Sequence, residues 1–582
     1  MFNAASATSL VVLIWVFVGA SCIGWGTLLM RCLCGEMPSS SIWQDRFWLG
    51  CSILLGLLEL WHLFLPIDWR TTAALLGGGI VVGLPAGAFR RRAARSAPNW
   101  RWAAIGGLLA LWFANRGLDL AKNYDSGLYH FATIRWINEY AVVPGLANMH
   151  DRLAFNQSYF LFVALLNAYP YFEQGYHVAN SLLLAVLASQ LLGAAGALLR
   201  NAENVGLSRL FPALLLPMIV IEGLSADVSS PSLDIVALIY GVVIFTTLMR
   251  CIDQSLANSP DDLFYHAAVA TLLCVAGCTI KLSFVPFGAA TIAVIFILVA
   301  RSLKWKGRRG AGRFLACAIM SALAWSIPHV AHGIILSGYP AYPNPMLGLP
   351  VDWRVPKAKV RESAGIIYAW ARMPKHPWRE VMASSDWIVP WCSRVLTKPR
   401  IALPLALAAG GLVLIASGRS RQKKSDYLSY RHLLPATPPL IGLTFWFLTA
   451  PDPRFGDWMV CLLAAYFLSL GLLLNRSAKG RLLPAVVIGC VTIACCVIPF
   501  QLVFTPIGIE HGFTGIPESA TRMFTTDSDF RLLIPADKEV NQLWDAPLPS
   551  MTYPVHDLEL RGATIAEGFR MRENFPPRKT AP

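Results

Sequence analysis

Titratable side chains concentrate in one hydrophilic stretch of the chain, NRGLDLAKNYDSGLYHFATIRW and the twenty residues that follow it. Carboxylates and imidazoles transfer protons, and guanidinium groups bind phosphate, so their proximity indicates a candidate site for such chemistry. Asp125 stands out because a carboxylate there could act as a general base, or as a metal ligand, for a hydroxyl acceptor. The alternative role for Asp125 is to cap the helix that follows, a role that Ser126 could share. The polar residues of the stretch are Asp119, Asp125, His130, Arg135, Glu139, His150, Asp151, Arg152 and Asn156.

The element that must position Asp125 is the segment directly after it. Residues 127–141 place Phe131, Ile134 and Ile137 on one face of a helix, whereas Arg135 and Glu139 fall on another. This pattern predicts an amphipathic helix that lies along a membrane surface.

Further candidates for ligand contact lie far away along the chain. Asp227 is in the short polar segment EGLSADVSSPS. Lys281 is in a tight connection between two apolar runs, where it either serves function or snorkels to the interface. We also assign binding roles to His130 and Arg135 of the first stretch, and to Asp352, Arg354, Asp452 and Arg454.

Four other polar features receive mainly structural interpretations. Ser230 and Pro231 are predicted to start a helix, whose first turn would hold Asp234 mainly to complement the helix dipole. His329 and His332 are expected to line a pocket or to pack against aromatic rings. The tryptophans of 337–400 are expected mostly to anchor at the membrane interface. An Asp452–Arg454 pairing within their turn is the structural alternative for those two residues.

Composition identifies the scaffold as a membrane protein. The mean hydropathy is +0.51, with 55% hydrophobic and 14% charged residues, and apolar runs of about 20 residues suit a hydrocarbon core about 30 Å thick. We predict an all-α polytopic membrane protein with about fourteen transmembrane helices and a long first external loop that carries interfacial helices. The predicted spans are 8–31, 47–66, 71–89, 102–116, 178–199, 207–221, 232–250, 264–280, 283–300, 314–336, 401–416, 432–449, 457–474 and 482–500.

The net charge of +15 predicts orientation in the membrane rather than nucleic-acid binding. Four short segments, 89–101, 301–313, 417–431 and 475–481, hold 19 basic residues and one acidic residue. Such clusters stay in the cytosol. Both termini and the segments 117–177, 222–231, 337–400, 450–456 and 501–582 are then expected outside. This count requires 158–171, which is almost long enough to span, to be a short helix that lies on the membrane or dips into it.

The order of these elements resembles the GT-C superfamily of membrane glycosyltransferases: a span, a long external loop with an early Asp and a surface helix, then many spans. The blocks YDSGLYH, GYPAYPNPMLGLPVDWRVP, PDPRFG and WDAPLPS also resemble an uncharacterised family of large bacterial membrane proteins. The resemblance covers about 102–500 and divides the chain into three N-terminal spans (1–88), a basic cytoplasmic linker (89–101), a GT-C-like core (102–336), an external Pro/Trp-rich segment (337–400), C-terminal spans (401–500) and an external tail (501–582).

The resemblance implies an enzyme of the bacterial inner membrane that transfers a sugar from a polyprenyl-phosphate-type donor to a glycan or lipid acceptor on the periplasmic face. Asp125 matches the family's catalytic carboxylate. Many members carry two adjacent acids there, but Ser126 follows Asp125, so participation of Mg²⁺ or Mn²⁺ stays open, as does the oligomeric state. Membrane lipids are the other expected partners. An O-antigen-type polymerase or ligase, a flippase for a lipid-linked sugar, and an assembly protein are the alternatives.

Overall fold

The computed structural model describes residues 4–34, 41–88, 100–200, 205–302, 308–419, 430–504 and 512–572. Within them the chain is helical apart from a small amount of sheet near its end. The helices are α1 (Ala4–Cys34), α2 (Trp43–His62), α3 (Trp69–Gly83), α4 (Trp100–Gly117), α5 (Phe131–Glu139), α6 (Ser158–Asn167), α7 (Gly175–Arg200), α8 (Leu207–Glu222), α9 (Leu233–Leu256), α10 (Pro260–Ile280), α11 (Val285–Ser302), α12 (Arg308–Ser337), α13 (Lys357–Arg372), α14 (Trp378–Ala383), α15 (Ile388–Val395), α16 (Pro399–Arg419), α17 (Thr437–Leu448), α18 (Pro453–Leu474) and α19 (Arg476–Phe504).

Each of the fourteen predicted spans coincides with one of these helices. Among the described residues, eight helices are long and apolar enough to cross a membrane: α1, α7, α9, α10, α11, α12, α16 and α18. A helix satisfies its own backbone polar groups, as a chain within lipid requires. The protein is therefore a helical multi-pass membrane protein. The count of fourteen crossings stays a prediction, because the other six helices fall short of that length or apolarity within the described residues.

Small residues let the first three helices pack closely. A Cβ built at Gly50 of α2 would lie 1.8 Å from the carbonyl oxygen of Cys22 on α1, and one at Gly79 of α3 would lie 2.2 Å from the hydroxyl of Ser21. Only a residue without a side chain permits such an approach. Helices α2 and α3 both pack on α1, and this unit packs on the rest of the bundle mainly through α2, which contacts α6, α10 and α12.

The helix ends form two groups, one at each end of the bundle. One group brings together the connections that carry Asp125, Asp234, Lys281 and Arg454. The other joins Asp45 to Arg250 at 2.6 Å, and Arg431 to the carbonyl of Ser255 at 2.6 Å. Helix α9 links the two groups, with Asp234 in its first turn and Ser255 in its last, about 30 Å apart at 1.5 Å per residue.

The basic segments adjoin the second group. Residues 89–99, 303–307 and 420–429 lie outside the described residues, but their flanks do not: Ala88 accepts a hydrogen bond from Arg46, and Ser302 contacts Ser255. The predicted cytoplasmic clusters therefore leave the bundle at the end opposite Asp125.

The short helix predicted in 158–171 is present as α6. Its ten residues extend about 15 Å, half of a hydrocarbon core. Every one of them is buried against protein, including Tyr159, whose hydroxyl donates to Asn180. Helix α6 therefore does not lie exposed on a membrane surface, because α2, α5 and α7 pack around it. The alternative of a short helix that dips into the membrane stays a prediction.

Helix initiation at α9 also differs from expectation. The helix begins at Leu233 rather than at Pro231. The hydroxyl of Ser230 accepts instead from the backbone N–H of Asn123, so it ties the first loop to this connection.

The described part of the tail, 512–572, adds two antiparallel hairpins. Strand β1 (Thr521–Thr525) pairs with β2 (Arg531–Pro535), and β3 (Leu558–Leu560) pairs with β4 (Phe569–Met571). Their apolar side chains, such as Leu532 and Phe569, share a core with Trp136 and Leu146 of the first loop. A segment this short has little core of its own, so it docks on the loop.

We expect epitope tags inserted after Glu173 and after Ser384 to be digested by protease added to sealed right-side-out membranes, and a tag after Ser96 to be protected. The reason is that the basic clusters stay in the cytosol while the cavity end faces outward. Digestion of the tags at 96 and 173 from the same side would contradict this orientation.

Candidate functional site

Asp125 is presented by a turn that two other connections hold in place. The side chain of Asn123 accepts from the backbone N–H of Asp125 at 2.9 Å and donates to Asp227 at 2.6 Å. One π-turn (126–130) follows and runs directly into α5. Asp125 makes no capping hydrogen bond. Its carboxylate accepts from Nη1 of Arg454 at 3.0 Å instead, so the capping role proposed for Asp125 is wrong.

The site contains two ion pairs. Arg454 pairs with Asp125, and Lys281 pairs with Asp234. The ring of Phe455 joins the pairs, because Lys281 Nζ lies 4.2 Å and Arg454 Cζ 4.6 Å from its centroid. A ring face attracts both cations and holds them near each other. Asp234 is thus a site residue as well as a first-turn acid, which its position in the sequence did not favour.

The paired charges line a cavity of about 220 Å³, which is large enough for a small polar ligand group. Its polar lining includes Asp125, Tyr129, His130, Arg152, Asn156, Gln157, Asp234, Lys281, Tyr342 and Arg454. Its apolar lining includes Leu282, Ile367, Phe445, Trp446, Phe455 and Met459. One cavity therefore combines charged groups with aliphatic and aromatic side chains.

Burial sets the protonation of the groups beside Asp125. It lowers the pKa of His130 to about 4 against the opposing charge of Asp125, so His130 is neutral at pH 7. Its Nδ1 lies 3.1 Å from the hydroxyl of Ser126. Burial also raises the pKa of Tyr129, and burial together with the charge of Asp234 raises that of Asp227. Tyr129 and His130 are therefore uncharged hydrogen-bonding groups at neutral pH.

Four of the residues assigned from sequence meet at the cavity: Asp125, His130, Lys281 and Arg454. Two more assigned residues, Asp227 and Asp452, do not line the cavity but contact residues in it or next to it. Asp227 holds Asn123, as described above, and Asp452 caps α18 by accepting from the backbone N–H of Arg454 at 3.1 Å.

The other three assigned residues lie elsewhere. Arg135 donates to Glu139 at 2.7 Å and to the carbonyl of Asp545 at 2.8 Å. Asp352 accepts two hydrogen bonds from Arg561, at 2.9 and 3.0 Å. Burial opposes ionisation of Asp352, but Arg561 outweighs it and lowers the pKa. Arg354 donates to the carbonyl of Leu349 at 3.3 Å. These contacts bind the external segments to one another.

Sequence reasoning missed Arg152 and Tyr342 as cavity residues. Arg152 belongs to the polar stretch around Asp125, which was its only signal. Tyr342 belongs to the proline-rich segment GYPAYPNP, and no spacing rule indicates which of its side chains turns inward.

The histidines of α12 pair with α2. His329 contacts Glu59 at 2.6 Å, and His332 contacts His62 at 2.7 Å. His332 also lines a small cavity of about 30 Å³. Nowhere in the described ranges do three His, Cys, Asp or Glu side chains converge in a manner that could hold a metal ion.

The tail forms hydrogen bonds to the turn that carries Asp125. The backbone N–H groups of Leu543 and Trp544 donate to the carbonyl of Gly127 at 2.9 and 3.0 Å. The side chain of Gln542 donates to the carbonyl of Tyr124 at 2.8 Å. A Cβ at Gly127 would lie 2.7 Å from the indole of Trp544, so this position requires glycine.

We expect the tail to dock more tightly at pH 5 than at pH 7.5. Burial and the nearby Glu173 and Glu139 raise the pKa of Asp545 to about 6, although Arg135 opposes them. A carboxyl whose pKa is raised on docking favours the docked state below that pKa, and this contribution is lost as the pH rises through 6. Amide hydrogen exchange of Leu543 and Trp544, corrected for intrinsic rates, measures how the stability of the docked tail changes with pH.

Asp545→Asn should flatten this dependence between pH 5 and 7.5, whereas the exposed-site control Glu518→Gln should retain it. An unchanged slope in Asp545→Asn would assign the titration to another group.

A family model described as Domain of unknown function (DUF8201) matches residues 9–462. The match includes Asp125, Asp234, Lys281 and Arg454, and it ends before the tail. No curated protein matches the sequence. Because the family model covers well over half of the chain, this protein belongs to the DUF8201 family.

Proposed function

We propose that the protein is a membrane glycosyltransferase that takes a sugar from a polyprenyl-phosphate-type lipid and passes it to a hydroxyl of a cell-envelope glycan or lipid on the periplasmic face of the inner membrane. The observation that carries this proposal is the cavity. It is lined by a carboxylate, Asp125, by two cations, Arg454 and Lys281, and by several aliphatic and aromatic side chains.

The apolar lining suits the isoprenoid part of such a donor. Leu282 and Phe445 line the cavity, and both side chains are exposed. Phe445 lies on α17 and Leu282 beside α11, and both helices belong to predicted spans. An aliphatic chain could therefore reach from the bilayer to the cavity while its phosphate contacts Arg454 and Lys281.

The ion pairs suggest how the donor is received. The charges of the site are locally balanced, because Asp125 neutralises Arg454 and Asp234 neutralises Lys281. The side chain of Arg454 is 42% exposed, so it can turn toward an arriving phosphate. A guanidinium group binds phosphate with two parallel hydrogen bonds. That exchange frees the carboxylate of Asp125 for the acceptor.

In the proposed reaction the freed Asp125 accepts the proton of the acceptor hydroxyl. The acceptor oxygen forms a bond to the anomeric carbon as the bond between that carbon and the phosphate oxygen breaks. The configuration is inverted, and the electron pair leaves with the lipid phosphate. Arg454 and Lys281 stabilise this leaving group within a partly dry cavity, while neutral His130 offers a hydrogen bond.

The resemblance to GT-C enzymes implies the same role for Asp125, and the separation of Asp125 from the basic segments supports an outward-facing site. Arg354, which was assigned a binding role from sequence, is replaced in the proposal by Arg152, because Arg152 lines the cavity.

Asp125→Asn should lower sugar transfer by about 10²–10⁴-fold, the usual contribution of a general base, while the protein still folds. The amide keeps the size of the side chain but accepts a proton poorly. The measurement is the cell-envelope glycan profile of a deletion strain that carries the variant. Asp119→Asn is the matched control, since Asp119 pairs with Arg116 outside the cavity, and it should keep most of the activity.

Full activity of Asp125→Asn would remove this carboxylate from the mechanism. The same profile separates the alternatives. Loss of a single sugar supports a transferase, shortened chains indicate a polymerase, and intracellular accumulation of intermediates indicates a flippase.

Arg454→Gln should lower transfer by about 10²-fold or more, because removal of one preorganised charge donor commonly has that effect. Arg454→Lys should retain part of the activity, since a lysine keeps the charge but loses the forked geometry. The transfer rate in membranes from the complemented strain measures both. Lys357→Gln removes an exposed cation away from the cavity and should leave the rate unchanged; an equal loss there would indicate a general charge effect.

A further inference from the structure

Residues 372–398 form a ledge around the outer end of α17. The ledge contains α14 and α15, and its buried Trp387 and Trp391 pack on Trp446 and Phe447. The indole of Trp391 donates to the carbonyl of Pro451 at 2.6 Å. These contacts attach the ledge at the level where α17 ends.

The other side of the ledge exposes apolar side chains. Val389 is 78% exposed, and Met382, Ile388 and Leu396 are also exposed. This surface adjoins α17, because Arg372 donates to the carbonyl of Leu448, a residue whose own side chain is 65% exposed. Such a group of exposed apolar residues marks an interaction surface.

Exposed cations accompany these apolar residues. Lys375, Arg379 and Lys398 are all exposed. The ledge as a whole has five basic and two acidic residues, although it lies on the side where the distribution of Lys and Arg predicts few cations. Orientation does not explain the excess, since the rule applies mainly to short loops, and the whole external segment 337–400 is long.

We propose that the ledge binds the anionic phospholipid head groups of the outer leaflet. Met382, Ile388, Val389 and Leu396 enter the boundary between head groups and acyl chains, and Lys375, Arg379 and Lys398 contact the phosphates above them. Apolar burial combined with basic residues is the recognised basis of binding to anionic membrane surfaces. The occupant is a lipid surface rather than a protein, because the exposed apolar residues continue onto the lipid-facing end of α17.

The position of the ledge in the chain connects it to the cavity. It follows α13, whose Ile367 and Tyr368 line the cavity described above. Anchoring the ledge in the leaflet therefore holds one wall of the cavity at the membrane surface, whatever ligand the cavity takes.

The test uses the purified full chain in a neutral detergent, with phosphatidylglycerol or phosphatidylcholine added and bound lipid counted by native mass spectrometry. The wild type should bind phosphatidylglycerol about tenfold more tightly than phosphatidylcholine. The triple variant Lys375→Glu, Arg379→Glu, Lys398→Glu should lose this preference. A matched triple variant, Lys357→Glu, Arg522→Glu, Lys538→Glu, reverses three exposed cations of the same side and should retain it.

Equal binding of the two lipids by the wild type, or equal losses in the two triple variants, would overturn the proposal. So would full competition by inorganic phosphate, which would indicate an anion site without lipid specificity. Val389→Asp tests the apolar part separately and should weaken phosphatidylglycerol binding while Lys375, Arg379 and Lys398 remain. Because lipid binding is measured without sugar transfer, the outcome is independent of the proposed enzymatic function.

Discussion

Charged groups at the boundary of a membrane need partners, and the site of this protein satisfies that need with side chains from four separate connections. Asp125 comes from the first loop, Asp234 from the start of α9, Lys281 from the tight connection after α10, and Arg454 from the start of α18. An unpaired charge there would carry a large desolvation cost. The pairs therefore align the outer ends of three helices with the loop, and the ring of Phe455 places the two pairs side by side.

The turn of the first loop that carries Asp125 is held in place by contacts on two sides. Asn123 and Asp227 hold it from one side, and the backbone of the tail at Leu543 and Trp544 holds it from the other. The tail in turn depends on the loop for its core, because Trp136 and Leu146 complete the apolar cluster of the two hairpins. The family match ends at 462 and does not include this tail.

The two ends of the helical bundle differ in chemistry. At one end, short clusters of arginine and lysine leave the bundle near Ala88, Ser302 and Arg431. At the other end, cations are paired with carboxylates or, on the ledge, mixed with tryptophans and exposed apolar residues. The contrast has a physical cause. Short basic loops resist translocation, whereas a long folded segment can carry lysine and arginine across.

The sequence alone determined the class of the protein, the approximate positions of the helices that coincide with the fourteen predicted spans and the candidacy of Asp125, because hydrophobic runs, basic clusters and a local excess of acids are properties of neighbouring residues. It also identified Lys281 and Arg454, since charges beside apolar spans are rare. It did not predict α13, α14 or α15. It could not show that Asp234 pairs with Lys281, that Arg152 and Tyr342 face the cavity, or that Asp352 and Arg135 serve the tail. Those outcomes depend on contacts between residues up to 410 positions apart, as for Arg135 and Asp545. Only the tertiary structure decided them, because packing selects one partner for each charge from many that the spacing allows.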